Sequence, residues 1–416
     1  MSFAQPGRGQ CRVTSLKESL MFSTALSAPH RALFATGTLA VMTAMLWWGA
    51  VLLGRALGQD WADASLPAML VHGHWMLYGL FAPFMAGFIF TAGPKWLAVP
   101  PPPRAHYLAL VAVWGLANLM LLLGQLGGGR ISQELGHGLI ALGMLGLLAS
   151  WLRCIHASRQ PDRHHAWAVA LAFGLGAAGA LAGLGWVISG AGWAWGLMRT
   201  LALWGFLLPV FLTVSHRMLP FFSASVLQPY QPWRPYSLLL GFWLGSLGHT
   251  ALTLLDWPLL CAGWDALFAG LLAYTSWRWG VRRCWRNRLL AMLHLSFAWA
   301  ALALALHALA AIWPSLGSAP VHALTIGLFS TLMMGFVSRV SLGHSGQPLV
   351  AAPWLWRLYL ALHGVALLRV LAEAAPQPAR NLLYVLVALG WLLIWARWGG
   401  QFLPVYMRPR ADGQPG

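Results

Sequence analysis

The chain contains about twelve apolar runs of roughly 20 residues, separated by short polar loops. A helix rises about 1.5 Å per residue, so a run of this length crosses the hydrocarbon core of a bilayer, which is about 30 Å thick. Only 8% of the residues are charged and 59% are hydrophobic, a composition that excludes a water-soluble fold. The sequence therefore predicts an all-α, polytopic transmembrane helix bundle whose spans cover residues 33–54, 67–91, 107–126, 135–152, 167–188, 193–214, 236–255, 258–277, 289–312, 319–340, 353–371 and 382–398.

Lysine and arginine concentrate in every second loop, and short loops rich in these residues stay in the cytoplasm. The cation-poor loops contain Asp60, Asp63, Glu134, Asp256 and Glu373. The pattern predicts cytoplasmic tails at residues 1–30 and 404–416 around a membrane bundle at residues 31–403. The cation-rich loops contain Lys17, Arg31, Lys95, Arg104, Arg153, Arg159, Arg163, Arg217, Arg234, Arg278, Arg282, Arg283, Arg286, Arg288, Arg339, Arg357, Arg408 and Arg410.

The formal net charge of +17 arises from these loops. A positive-inside membrane protein explains this charge, so we expect the lipid bilayer as a partner and no nucleic acid. The stretch before residue 30 is too polar for a signal peptide, and no cleavage is expected.

The chain has 15 histidines but only 9 carboxylates. An imidazole inside a membrane is unfavourable unless it is paired, faces a cavity, or holds a metal or heme. The four cysteines form no C-x-x-C pair, so any metal is expected to be held by histidine. We place six histidines near the outer helix ends, namely His72, His74, His137, His249, His307 and His322; His363 is mid-span, and the others lie near the inner ends.

His72 and His74 stand two residues apart, which places them roughly 200° apart around a helix axis. The pair therefore suggests two tasks. One imidazole would ligate heme or copper, and the other would donate to a carbonyl, a propionate or a second metal, unless His74 faces the headgroups. In the cation-rich loop beyond the fourth span, His156, His164 and His165 are expected to be solvated.

Several segments together resemble the NnrS family. They are His72-x-His74 with residues 76–79 and 86–96, then residues 217–222, 293–299, 322–325 and 339–346. The resemblance implies a heme- and copper-containing inner-membrane protein of about twelve helices, associated with the bacterial response to nitric oxide and nitrosative stress. Two positions depart from the family pattern. Trp75 replaces a glutamate, and Gln347 replaces the arginine of a G-H-T-G-R run.

From this resemblance and their shared membrane face, His72, His74 and His322 are expected to bind heme or copper. The secondary candidates are His137, His249, His294 and His307. A structural or anion-binding role is expected of His216, Arg217, Arg339 and His344, because arginine keeps its proton and suits propionate or carboxylate better than metal.

Two functions follow as alternatives. The first is a heme- and copper-binding protein of the nitric oxide response, with nitric oxide or nitrosylated species as partners. The second is a transporter or channel whose histidines bind metal or relay protons. The near absence of membrane-embedded carboxylates disfavours a proton relay. The only adjacent histidine pair, His164-His165, lies in an inner loop, so efficient oxidase-like catalysis is not predicted.

Overall fold

The computed structural model describes residues 24–59 and 66–414. Within these ranges the chain is helical without strands, and twelve helices are long and apolar enough to cross a membrane. The predicted fold class and span number are therefore confirmed. The helices are α1 Pro29–Ala56, α2 Ala68–Leu97, α3 Arg104–Gln125, α4 Gly129–Ala157, α5 His164–Ser189, α6 Gly192–Ala224, α7 Tyr236–Leu254, α8 Pro258–Trp279, α9 Arg288–Ala310, α10 Ala319–His344, α11 Pro353–Ala374 and α12 Ala379–Tyr406.

Each predicted span overlaps one helix, and most helices extend past the apolar run that predicted them. Hydropathy marks only the residues that cross hydrocarbon, whereas a helix continues through the headgroup layer. A tight turn separates α7 from α8. Asp256 adopts a left-handed backbone with φ 56°, and Pro258 occupies the first turn of α8, where its missing N–H leaves no bond unmade.

Residues 1–23, which make up most of the predicted N-terminal tail, lie outside the described residues. Lys17 and Cys11 belong to that stretch. Asp60 and Asp63 of the first cation-poor loop also lie outside the described residues.

The helices alternate in direction, so odd-numbered helices end, and even-numbered helices begin, at the cation-poor end of the bundle. At the cation-rich end the start of α1 meets the end of α12. There Arg31 donates hydrogen bonds to the carbonyl oxygens of Tyr406 and Arg408, at 3.0 and 2.7 Å. These bonds hold the first and last helices together.

Three helices form the centre of the bundle. In α2, α6 and α10, 83%, 89% and 78% of the most apolar stretch is buried, against 33% in α8. Each of the three also contains a π-helical segment, at Trp75–Leu80, Leu201–Leu207 and Ala323–Ser330. Such wider turns re-aim the side chains beside them and often occur at functional sites. His74 directly precedes the first segment and His322 the third.

Candidate cofactor cavity

A cavity of about 760 Å³ opens among the helices at the cation-poor end. Its volume lies within the roughly 300–1,000 Å³ of small-molecule sites. Four histidines from four different helices line it, and the rest of its wall is mostly apolar or aromatic. The four are His72 of α2, His249 of α7, His307 of α9 and His322 of α10.

His72, His322 and Arg369 all line this cavity. The Nδ1 atom of His322 lies 2.9 Å from the carbonyl oxygen of Ser318, so Nδ1–H donates there and Nε2 is left as the accepting nitrogen. His72 stacks on Trp48 with ring centroids 4.1 Å apart and an interplanar angle of 16°. Both imidazoles are thus held in fixed orientations, and they lie close enough to interact electrostatically.

Three arginines also line the cavity, although this end of the bundle has few cations. Arg55 stacks over Trp48 and Arg199 over Trp195, each 5.3 Å from the ring centroid. Among residues 24–59 and 66–414, neither guanidinium has a carboxylate partner. The cavity therefore offers positive charge to an anionic group, and the planar guanidinium fork suits a carboxylate.

The third arginine, Arg369, belongs to a buried network at the edge of the cavity. It donates to Oε1 of Glu373 at 2.7 Å and to Oγ of Ser318 at 2.6 Å. Ser318 and Tyr384 donate to the same Glu373 oxygen, at 2.5 and 2.8 Å. Because Ser318 also supplies the carbonyl that orients His322, the network connects a charged pair to one of the cavity histidines.

On the opposite helices, His249 meets two residues that the sequence analysis did not select. Its Nδ1 lies 2.8 and 3.0 Å from the two carboxylate oxygens of Asp265 and 3.5 Å from Sγ of Cys261. All three side chains are buried. Cys261 and Asp265 are four residues apart on α8, which places them on one helix face. The four-residue spacing of Cys261 and Asp265 was the only feature of the sequence that could have indicated this cluster, and a search for C-x-x-C pairs does not detect it.

Aromatic rings hold His249 and His307 beside each other. Trp204 stacks on His249 with centroids 3.5 Å apart and meets His307 edge-on at 4.9 Å. The Nε2 atom of His307 is buried without a hydrogen-bond partner among the described residues. An imidazole nitrogen in that condition is free to accept a bond from a ligand.

His74 does not line the cavity. It is fully buried and packs against His137 of α4, with ring centroids 4.1 Å apart. Neither ring nitrogen of His74 has a partner in the described part of the chain, nor does Nε2 of His137. His137 Nδ1 bonds the carbonyl oxygen of Gln133 at 2.8 Å. The i, i+2 spacing thus sends His72 and His74 into two different environments.

Trp75 stands directly after His74, at the position where the family pattern has a glutamate. Its ring is fully buried, and Nε1 donates to Oδ1 of Asn118 at 2.5 Å. Asn118 in turn donates to the carbonyl oxygen of Trp114 at 2.7 Å. The polar groups at this position therefore satisfy one another without a carboxylate.

The remaining predicted residues lie nearer the cation-rich end, away from the cavity. His294 bonds Oγ of Ser223 at 2.8 Å. Arg217 lies over Trp96 at 5.0 Å, and Arg339 lies over Phe222 at 3.9 Å. His344 lies beside His30, with ring centroids 4.7 Å apart.

The prediction that His165 is solvated was wrong. His165 is buried, and its Nε2 lies 2.9 Å from Nδ1 of His216, whose own Nε2 lies 3.0 Å from the carbonyl oxygen of Pro235. The cause is that α5 begins at His164. Neighbouring residues in a helix point about 100° apart, so His164 faces out while His165 turns into the bundle. His156 and His164 are exposed, as predicted.

A comparison with protein families matches the model described as "NnrS protein" over residues 24–410. A comparison with curated proteins finds no match. The family match covers nearly the whole chain and confirms the resemblance drawn from the sequence. The chain belongs to the NnrS family.

Proposed function

We propose that this multi-pass NnrS protein binds heme in the cavity at the cation-poor end, as part of a response to nitric oxide and nitrosative stress. Membership of the family supports the connection with nitric oxide. The observation that carries the proposal is the meeting of two oriented imidazoles and three arginines in one apolar cavity of about 760 Å³. We place the protein in the bacterial cytoplasmic membrane with both termini in the cytoplasm, because the cation-rich loops alternate with cation-poor ones.

The residues of the cavity fit the three parts of a heme. Apolar and aromatic walls suit the macrocycle, and an imidazole suits the iron. The propionates need cations, which Arg55 and Arg199 would supply, since both line the cavity without a carboxylate partner among the described residues. When bound, the iron supplies a coordination position at which a diatomic molecule binds.

We propose that one of His72 and His322 would ligate the iron and the other would lie beside the bound heme. Ser318 fixes the tautomer of His322 through the bond to Nδ1, which keeps the Nε2 lone pair free for iron. His72 keeps a fixed plane through its stack on Trp48. The largely apolar surroundings favour neutral imidazoles, the form that can bind a metal.

Copper, the second cofactor that the family implies, fits the pair His74 and His137. Three of their four ring nitrogens are buried without a hydrogen bond among the described residues. Buried polar atoms are rarely left without partners, so a ligand held by this pair accounts for them. In this proposal His74 serves a separate site from His72 and His322.

The experiment compares four alanine variants of protein purified in detergent. His72→Ala and His322→Ala should each lower heme content or alter the heme spectrum. His74→Ala should lower copper content, because alanine offers no ligand atom. His156→Ala, at an exposed position in the cation-rich loop, is the control and should leave both unchanged. Unchanged spectra and metal content in all of the first three variants would overturn the assignment.

A further inference from the structure

Beyond heme and copper, we propose that His249, Cys261 and Asp265 form a zinc site of the open, three-ligand kind on the cavity wall. The inference does not depend on heme binding. One ligand atom from each side chain lies within 4.8 Å of the others. Each residue also lines the cavity, so a fourth coordination position opens onto it.

The distances among these atoms lie near those of a tetrahedral metal site. With zinc bonds of about 2.3 Å to sulfur and about 2.1 Å to nitrogen or oxygen, tetrahedral ligands lie about 3.6 Å apart across sulfur and about 3.4 Å apart otherwise. The Cys261 sulfur lies 3.5 Å from His249 Nδ1 and 3.9 Å from Oδ2 of Asp265, and that oxygen lies 3.0 Å from His249 Nδ1. To reach tetrahedral spacing, the nitrogen-to-oxygen distance has to widen by roughly 0.4 Å and the sulfur-to-oxygen distance has to shorten by roughly 0.3 Å.

Charge balance supports a divalent ion here. Asp265 is 2% exposed, and among the described residues no lysine or arginine pairs with it. Its partner is His249 at 2.8 Å, and an imidazole has to be neutral to ligate zinc, so it does not balance the carboxylate in the site. An unbalanced carboxylate inside a membrane is strongly unfavourable. One thiolate, one carboxylate and one divalent ion sum to zero charge, which a low-dielectric interior tolerates.

The mixture of donors favours zinc over copper. Thiolate is a soft ligand, imidazole is intermediate and carboxylate is hard. Zinc accepts all three, and sites with three protein ligands leave a position for water or substrate. Sulfur-rich sets would favour copper(I) instead, and the two other described cysteines, Cys154 and Cys284, lie outside this group.

The test measures zinc and cobalt binding to the full-length protein in detergent. Wild type should bind one zinc ion per chain at this site. Cobalt(II) in its place should give a thiolate-to-cobalt charge-transfer band. Cys261→Ser should abolish the band, and Asp265→Asn should weaken zinc binding by more than the roughly 10–100-fold that loss of an outer-shell partner causes. The matched control Cys284→Ser removes a buried thiol elsewhere and should keep both the zinc binding and the cobalt band.

Heme content, measured in the same samples, distinguishes failure of the zinc site from failure of the heme proposal. Loss of zinc with heme retained in Cys261→Ser supports the site and shows that the variant has folded. Wild type without zinc, or a cobalt band that survives Cys261→Ser, would overturn it. If Cys261→Ser does not fold, Asp265→Asn and the wild-type cobalt spectrum decide the question in the same way.

Discussion

Removal of Arg369 should destabilise the protein by leaving a buried carboxylate without its cation. The side chains of Arg369 and Glu373 are only 10% and 9% exposed, and 2.7 Å separates their charged atoms. Breaking a buried ion pair from one side costs about 3–5 kcal/mol. Ser318 and Tyr384 still donate to Glu373 in the variant, so we expect the lower end, about 3 kcal/mol, for Arg369→Met.

The double variant Arg369→Met/Glu373→Gln should recover most of that loss, because no charge is left unpaired. Unfolding in mixed detergent, followed by tryptophan fluorescence, measures the free energy of unfolding. Glu134→Gln is the control, since it breaks an exposed pair with Arg130 whose side chains are 55% and 37% exposed, and it should change stability by less than about 1 kcal/mol. If Arg369→Met were as stable as wild type, or Arg369→Met/Glu373→Gln less stable than Arg369→Met, the ion pair would not have the assigned role.

Three further predictions concern topology and the two cofactor sites. A periplasm-active reporter fused at Arg286 should be silent and one at Asp256 active, and the reverse pattern would invert the orientation. Gly183→Ala should lower copper and spare heme, because a Cβ there would lie 2.9 Å from Cδ2 of His74; normal copper would show that His74 has no such role. His344→Ala should leave heme content unchanged, and loss of heme from a folded variant would place the cofactor at the cation-rich end.

The fold was predictable because it rests on local properties of the sequence. Apolar runs determine where helices cross the membrane, and the turn at Asp256 and Pro258 separates the spans of α7 and α8. The structure differs from the prediction at the start of a helix. His165 was predicted to be solvated because it lies in a run of loop-like residues, but its position in α5 turns it toward His216.

The candidate site was predictable only in part. Histidines in apolar runs are conspicuous, and four of them do line one cavity. Cys261 and Asp265 were not selected, because their chemistry depends on how α8 packs against His249 of α7. Spacing within one helix cannot supply the rotation of its neighbour. The separation of His74 from the cavity likewise depends on the packing of α4.

The most direct test is a pyridine hemochrome spectrum, with metal analysis, of the purified wild-type protein. We expect a heme spectrum whose intensity falls in His72→Ala and His322→Ala and stays unchanged in His156→Ala. A well-folded wild-type protein without heme or copper would contradict it and favour a transporter or channel.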